Sequence, residues 1–390
     1  MTTPGGAAPD LPRRVEPCAA SWLVDAVAPG ARKDLWESGE PVPAGVVEAA
    51  LVHGVEGMVA RRAAETGHEV PGLLPFVHGA VGRHQRALAE LGTVSTALAR
   101  AGIPFLVVKG PALTRRYADP SLRSYVDLDV VVAPAQVEDA LTALEDAGAR
   151  LLDANWPLLR QAGVHELALL GSSGTPVDLH WALGPTPVTA DRTPPVERLL
   201  DRSVATELGG VEVRCLDPLD ELVHVAVHAA AAGGHRLVWL ADLRAVLAAA
   251  RPAGSEIRVR AAEWGAEPAV ALTLARMQRV LQADGVHAEG WRAGTRAWTA
   301  LDALATRLSP PERTGTGGSL ARLVARSSRA TLAGSLTALA TKSWRRAKGA
   351  ARDRDDLDLW SSTDPRSARY PHGGDQGRRE FLSWVRESRR

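Results

Sequence analysis

The sequence predicts an α+β protein, with one small unit of strands and helices set between N- and C-terminal helical regions. Three observations lead to this. Short apolar runs bounded by turn residues are confined to about residues 103–183. On either side, apolar residues recur at three- and four-residue spacing. A chain of 390 residues, 45% apolar, is also long enough for two or three domains.

Residues 1–18 are rich in Pro, Gly and Ala and read as a mobile leader. The helical region 19–100 shows Val46, Val47, Ala50 and Leu51 on one face, then Leu88, Leu91, Val94 and Leu98 on another. Gly102-Ile103-Pro104 breaks that pattern and opens the unit 101–184. Within it, "FLVV" (105–108) and "VDLDVVV" (126–132) are strands, and Pro134 opens a helix to about Ala147. "HELALLG" (165–171) and "TPVDLHWAL" (175–183) flank Ser-Ser-Gly as a hairpin. Helical period returns over 185–308, where Asp217-Pro218 reads as an N-cap with proline at the first helical position. Residues 309–390 read as a linker, a basic helix over 320–348 and a largely irregular tail.

The net charge of +1 implies no acidic or nucleic-acid partner. Charge is uneven, however: 18 Lys+Arg against 10 Asp+Glu over 301–390 make +8 there and −7 over 1–300. Cys18 and Cys215 are the only cysteines, too few for a disulfide framework or a cysteine metal site. The N-terminal residues lack the apolar core of a secretory signal. His224, His228, His235, Arg236, Asp242 and Arg244 interrupt the longest apolar region, so no membrane span is expected. A cytoplasmic location is the expectation. Of 46 basic residues, four are lysines (Lys33, Lys109, Lys342, Lys348) and 42 are arginines. A lysine kept in such a chain marks a place where arginine does not fit, or is a chance survivor.

Residues two apart on a strand face the same way. Asp127 and Asp129 therefore share a face, as do Asp178 and His180 in "VDLHW". If the strands are neighbours, three carboxylates converge. Carboxylate oxygens without a cysteine set suit a hard cation such as Mg²⁺ or Mn²⁺. Lys109-Gly110-Pro111 ends a strand and begins a helical turn, where a glycine lets a phosphate approach the backbone.

This pattern resembles the nucleotidyltransferase superfamily of DNA polymerase beta type. The wording "KGPAL", "YADPSLRS", "DLDVVV", "VDLHW", "DELVHVAVH" and "RLVWLADL" is similar to one bacterial branch of uncharacterised nucleotidyltransferases, covering about residues 100–250. The resemblance implies a small twisted mixed-sheet nucleotidyltransferase core with helices on one side, flanked by N- and C-terminal helical domains. It implies Asp127, Asp129 and Asp178 as metal-binding and catalytic, with Asp178 also able to take the acceptor hydroxyl's proton. Lys109 and Gly110 would hold the triphosphate of an NTP, Lys109 standing where the superfamily loop usually has serine or glycine. The implied reaction moves a nucleoside monophosphate to a hydroxyl of a small molecule or peptide and releases pyrophosphate. Members of the branch often lie in natural-product and surface-polysaccharide gene clusters.

Blander readings stand beside these. Asp127 and Asp129 could be exposed charges on an edge strand, and Asp178 could face solvent beside the hairpin turn. Arg123 either holds a phosphate or pairs with Asp119. His180, His228 and Asp242 either line the site near the acceptor or pack as core and supporting residues. "HVAVH" lacks the glutamate of the zinc-protease helix, so His224 and His228 read as core histidines or partners of the site rather than ligands. The stretch 320–348, with no acidic residue and only Trp344 as an aromatic, reads as a solvated helix or docking face ahead of a membrane or nucleic-acid surface. Two other functions fit the same residues: a nucleotide sensor without catalysis, and a phosphotransferase moving the terminal phosphate.

Overall fold

A computed structural model of the chain describes residues 11–29, 35–184, 193–282, 290–347 and 361–387. Seven strands form one mixed sheet: β1 Phe105–Val108, β2 Leu128–Val132, β3 Arg150–Leu151, β4 Glu166–Leu170, β5 Pro176–His180, β6 Val204–Leu208 and β7 Val211–Cys215. Their spatial order is β3-β4-β5-β2-β1-β7-β6. β1 runs antiparallel to β2, while β2–β5 and β1–β7 are parallel.

Helices cover both faces of the central strands, not one side as the resemblance implies. Phe105 and Val107 of β1, with Leu128, Val130 and Val132 of β2, join Leu91, Val94 and Leu98 of the helix Leu74–Arg100 in one core. Leu106, Val108 and Val131 point the other way. They join a core shared by the helices Pro17–Val27, Pro218–Ala232 and Leu237–Ala250. The physical reason is visible in β1 and β2 themselves, which are buried at every position. A strand apolar on both faces needs two covers.

Four expectations are corrected. The sheet does not end near residue 184, because β6 and β7 form a hairpin through Gly209-Gly210 where helix was expected. The signal is present in the residues: Val211, Val213 and Cys215 alternate with Glu212 and Arg214, and a Gly-Gly between β-rich runs marks a hairpin. The leader expected over 1–18 lies outside the described residues only for 1–10. Arg14 bridges Thr314, Val15 is 2% exposed, and the first helix begins at Pro17, so the expected linker and the leader hold each other. The basic stretch is two helices, Leu320–Arg326 and Leu332–Ala347. The tail, expected to be largely irregular, forms the helix Gly374–Glu387, which buries Phe381, Leu382 and Val385 among the core residues around Trp156 and Trp181.

Helix ends behave as their residues dictate. The Asp217 side chain accepts the N–H groups of Leu219 and Asp220 at 2.8 and 3.0 Å, capping Pro218–Ala232. At the other end of that helix, buried Arg276 donates to the carbonyls of Gly233 and Gly234 at 2.9 and 3.0 Å and pairs with buried Asp302. One arginine thereby joins three helices. No described helix is long and apolar enough to cross a membrane.

His53 ties the N-terminal helices to the later ones: its Nδ1 accepts the Leu237 N–H at 3.2 Å. Burial pushes this imidazole down to about 4, against roughly 6.5 in an unfolded chain. The unfolded state then binds a proton that the folded state refuses. Stability present above about pH 6.5 is lost as pH falls toward about 4. Urea unfolding should show a midpoint that falls between about pH 7 and 5, and His53→Asn should remove His53's share, roughly 1–2 kcal/mol at pH 5. A pH slope identical in the variant would refute the assignment.

Candidate active site

The site is assembled by strand register. Asp129 is paired with Asp178 across the parallel β2–β5 ladder, and Val108 at the end of β1 is paired with Asp129. His180 follows Asp178 by two residues and shares its face. Across the antiparallel β4–β5 pair, His180 stands opposite Glu166. Asp127 lies one residue before β2 begins and is partly buried, so it is at the strand's mouth.

Asp129 is the centre of this group and is 0% exposed. Its Oδ1 lies 2.5 Å from Lys109 Nζ and 2.9 Å from His180 Nε2. The other nitrogen of His180, Nδ1, lies 3.1 Å from Glu166 Oε2. Burial alone would raise the Asp129 carboxyl, but the Lys109 ammonium and His180 outweigh it and hold it below the usual carboxylate range. Burial alone would lower His180, but Glu166 and Asp129 outweigh it and raise the imidazole to about 10. His180 is therefore an imidazolium clamped between two carboxylates. Asp178 has less help: burial, with Glu166 and Asp129 adding to it against His180, raises its carboxyl to about 7. Asp127 is also raised, by burial and then by Asp129.

Lys109 reaches Asp129 from a strained backbone, φ 48° and ψ −138°, which a non-glycine residue adopts at a cost of about 1–3 kcal/mol. Gly110 has a packing requirement of its own. A Cβ there would lie 3.0 Å from the Asp127 carbonyl oxygen and 3.5 Å from the Tyr125 ring. Pro111 follows and has no N–H to offer.

These residues suit a divalent cation. Ligand atoms of Asp129, Asp178 and His180 all fall within 4.8 Å of one another. Asp129 Oδ2 is buried with no hydrogen-bond partner among the described residues. A buried carboxylate oxygen without a partner, in a residue paired in register with a second carboxylate, has the chemistry to hold a hard cation. The two carboxylates are the better ligands, since both nitrogens of His180 already face carboxylates.

Arg123 and Asp242 are brought to each other. Arg123 Nε and Nη2 donate to Asp242 Oδ1 and Oδ2 at 2.7 and 3.0 Å, and the Tyr117 hydroxyl donates to Oδ1 at 2.7 Å. Arg123 does not pair with Asp119, whose carboxylate accepts from the Ser121 N–H instead. This buried bidentate pair engages Arg123 Nε and Nη2, while Nη1 is buried with no hydrogen-bond partner among the described residues.

A cleft of about 250 Å³ opens beside Lys109 and His180, walled by Glu166 and by His224 and His228 of the helix Pro218–Ala232. Burial and then the Lys109 charge hold His228 down to about 3 and His224 well below its ordinary value. Sequence reading missed Glu166 and left His224 as either a core histidine or a partner of the site. The hairpin register would have found Glu166, because it sets that residue opposite His180.

A protein-family model described as an uncharacterised nucleotidyltransferase matches residues 43–282. No curated protein matches the chain. Among solved structures, the chain is similar to the antibiotic-resistance factor ANT(2'')-Ia, solved in solution. The two share 14% identity with a TM-score of 0.34, covering 45% of this chain and 89% of that one.

Removing Asp242 would strand a buried guanidinium. We expect Asp242→Ala to cost about 3–5 kcal/mol in chemical unfolding, and the double change Arg123→Met with Asp242→Leu to recover much of it. A stable Asp242→Ala variant would show that the pair does not hold the fold.

Proposed function

Because the chain belongs to an uncharacterised nucleotidyltransferase family, we propose that it transfers a nucleoside monophosphate from an NTP to a hydroxyl of a small molecule or peptide, releasing pyrophosphate. The observation that carries this reading is the Asp129–Asp178 register pair, with a buried, unpartnered Oδ2 on Asp129 and Lys109 2.5 Å from its Oδ1. Natural-product biosynthesis is a setting consistent with it, and no described helix is long and apolar enough to cross a membrane.

Asp127, Asp129 and Asp178 would hold the divalent ions, Mg²⁺ or Mn²⁺. Such ions, when bound, stabilise charge on the attacking and leaving oxygens of phosphoryl transfer. Asp178, in register beside Asp129, is placed to accept the acceptor hydroxyl's proton. Lys109, on the cleft side of Asp129, faces the negative charge of a triphosphate. His180, clamped by Asp129 and Glu166, orients the Asp129 carboxylate. Arg123 and Asp242 then support the wall rather than contact substrate.

The test is transfer of label from α-labelled NTP in the presence of Mg²⁺, run beside γ-labelled NTP. Label should pass to the acceptor only from the α position, and Asp129→Asn and Asp178→Asn should each lower the rate by roughly a hundredfold or more. Transfer of the γ label would make the protein a phosphotransferase. Binding of NTP without transfer from either position would make it a sensor.

A further inference from the structure

The helix Pro218–Ala232 turns two imidazoles, His224 and His228, onto the cleft that Lys109 and His180 also line. His224 is 5% exposed, and neither of its ring nitrogens has a hydrogen-bond partner among the described residues. An unsatisfied buried polar group is costly in the folded state, so its place in a cleft wall points to a ligand. The pair lies one helical turn apart, ring centroids 6.5 Å from each other, and therefore presents two N–H donors along one wall.

The rest of the cleft's phosphate-facing side is poor in such donors, since Lys109 is the one residue of the loop after β1 that lines it. A phosphate tail is bound by N–H and O–H groups, and the loop after β1 offers few: Pro111 has no N–H, and Lys-Gly-Pro contains no hydroxyl. The helix that follows, Gly110–Thr114, is only five residues long. Of the three N–H donors of Lys109, one is already committed to Asp129 at 2.5 Å. We propose that His224 and His228 bind the polyphosphate tail of the nucleotide together with Lys109, so that the helical domain supplies half of the phosphate site. This rests on the nucleotidyl-transfer reading above. Neutral imidazoles suit the task, since each keeps one N–H to donate and can gain a proton when an anion arrives.

Titration calorimetry of the full chain with inorganic tripolyphosphate and Mg²⁺ tests this. His224→Phe and His228→Phe should each weaken tripolyphosphate binding about tenfold, as expected for a hydrogen bond to a charged group. His228→Gln, which restores an N–H donor, should stay within about threefold of the parent, and adenosine binding should not change in any variant. Replacing an unsatisfied buried imidazole by an apolar ring is close to neutral for folding, and unfolding midpoints check this. If the phenylalanine variants bind tripolyphosphate like the parent but lose nucleotidyl transfer, the imidazoles serve the acceptor and the proposal is wrong. If the parent binds neither ATP nor tripolyphosphate, the nucleotide reading itself has failed and takes this one with it.

Discussion

One buried carboxylate organises the middle of this protein. Asp129 is sealed from solvent inside β2, a strand otherwise made of valine and leucine, where an unpaired charge would neutralise rather than persist. Lys109 and His180 both reach the same oxygen, Oδ1, and keep it ionised. Each then needs support of its own. Lys109 sits in a strained left-handed conformation at the end of β1, and His180 is held on its far side by Glu166 from β4. Three strands from different parts of the chain are thus committed to one oxygen atom, while Oδ2 is left bare.

That asymmetry, at a carboxylate in register with Asp178, is what the proposed function rests on. A buried ion pair built only for stability would satisfy both oxygens. Here one oxygen is neutralised by the protein and the other stands beside Asp178, which burial keeps near the border of ionisation. A cation there would offset the burial, and the smaller repulsion from neighbouring carboxylates, that raise Asp127 and Asp178. Lys109 and His180 pair with Asp129 and Glu166, two cations for two of the four carboxylates gathered here.

The ion pairs around the connection from β1 to β2 carry the same logic outward. Arg115 and Arg116 both pair with Glu221, and Arg123 pairs with Asp242. Glu221 and Asp242 lie on the two helices, Pro218–Ala232 and Leu237–Ala250, that pack over the site face of the sheet. The arginine-rich loop is therefore a strap. It fixes the helix bearing His224 and His228 against the strand bearing Asp129, and so sets the width of the cleft between them. Arginine suits position 123 because its planar fork meets both Asp242 oxygens, whereas Lys109 places a single compact charge on one oxygen.

Much of this was legible in residue order. The strands 105–108 and 176–180, the Asp217-Pro218 helix start, the shared faces of Asp127/Asp129 and Asp178/His180, and the oddity of Lys109 all follow from local period and side-chain chemistry. Local pattern specifies these because a strand's alternation and a helix cap are settled within a few residues. The partners were not legible. Nothing in the spacing says that Arg123 would take Asp242 rather than Asp119 or a phosphate, that Glu166 would stand behind His180, or that the Phe381 helix would return to the sheet. Those depend on which strands become neighbours and in what register, and the energy of that choice is spread over two cores of apolar contacts. The sequence by itself determined which groups could do chemistry; only the tertiary structure decided which of them meet, because burial and charge compensation act across the fold and not along the chain.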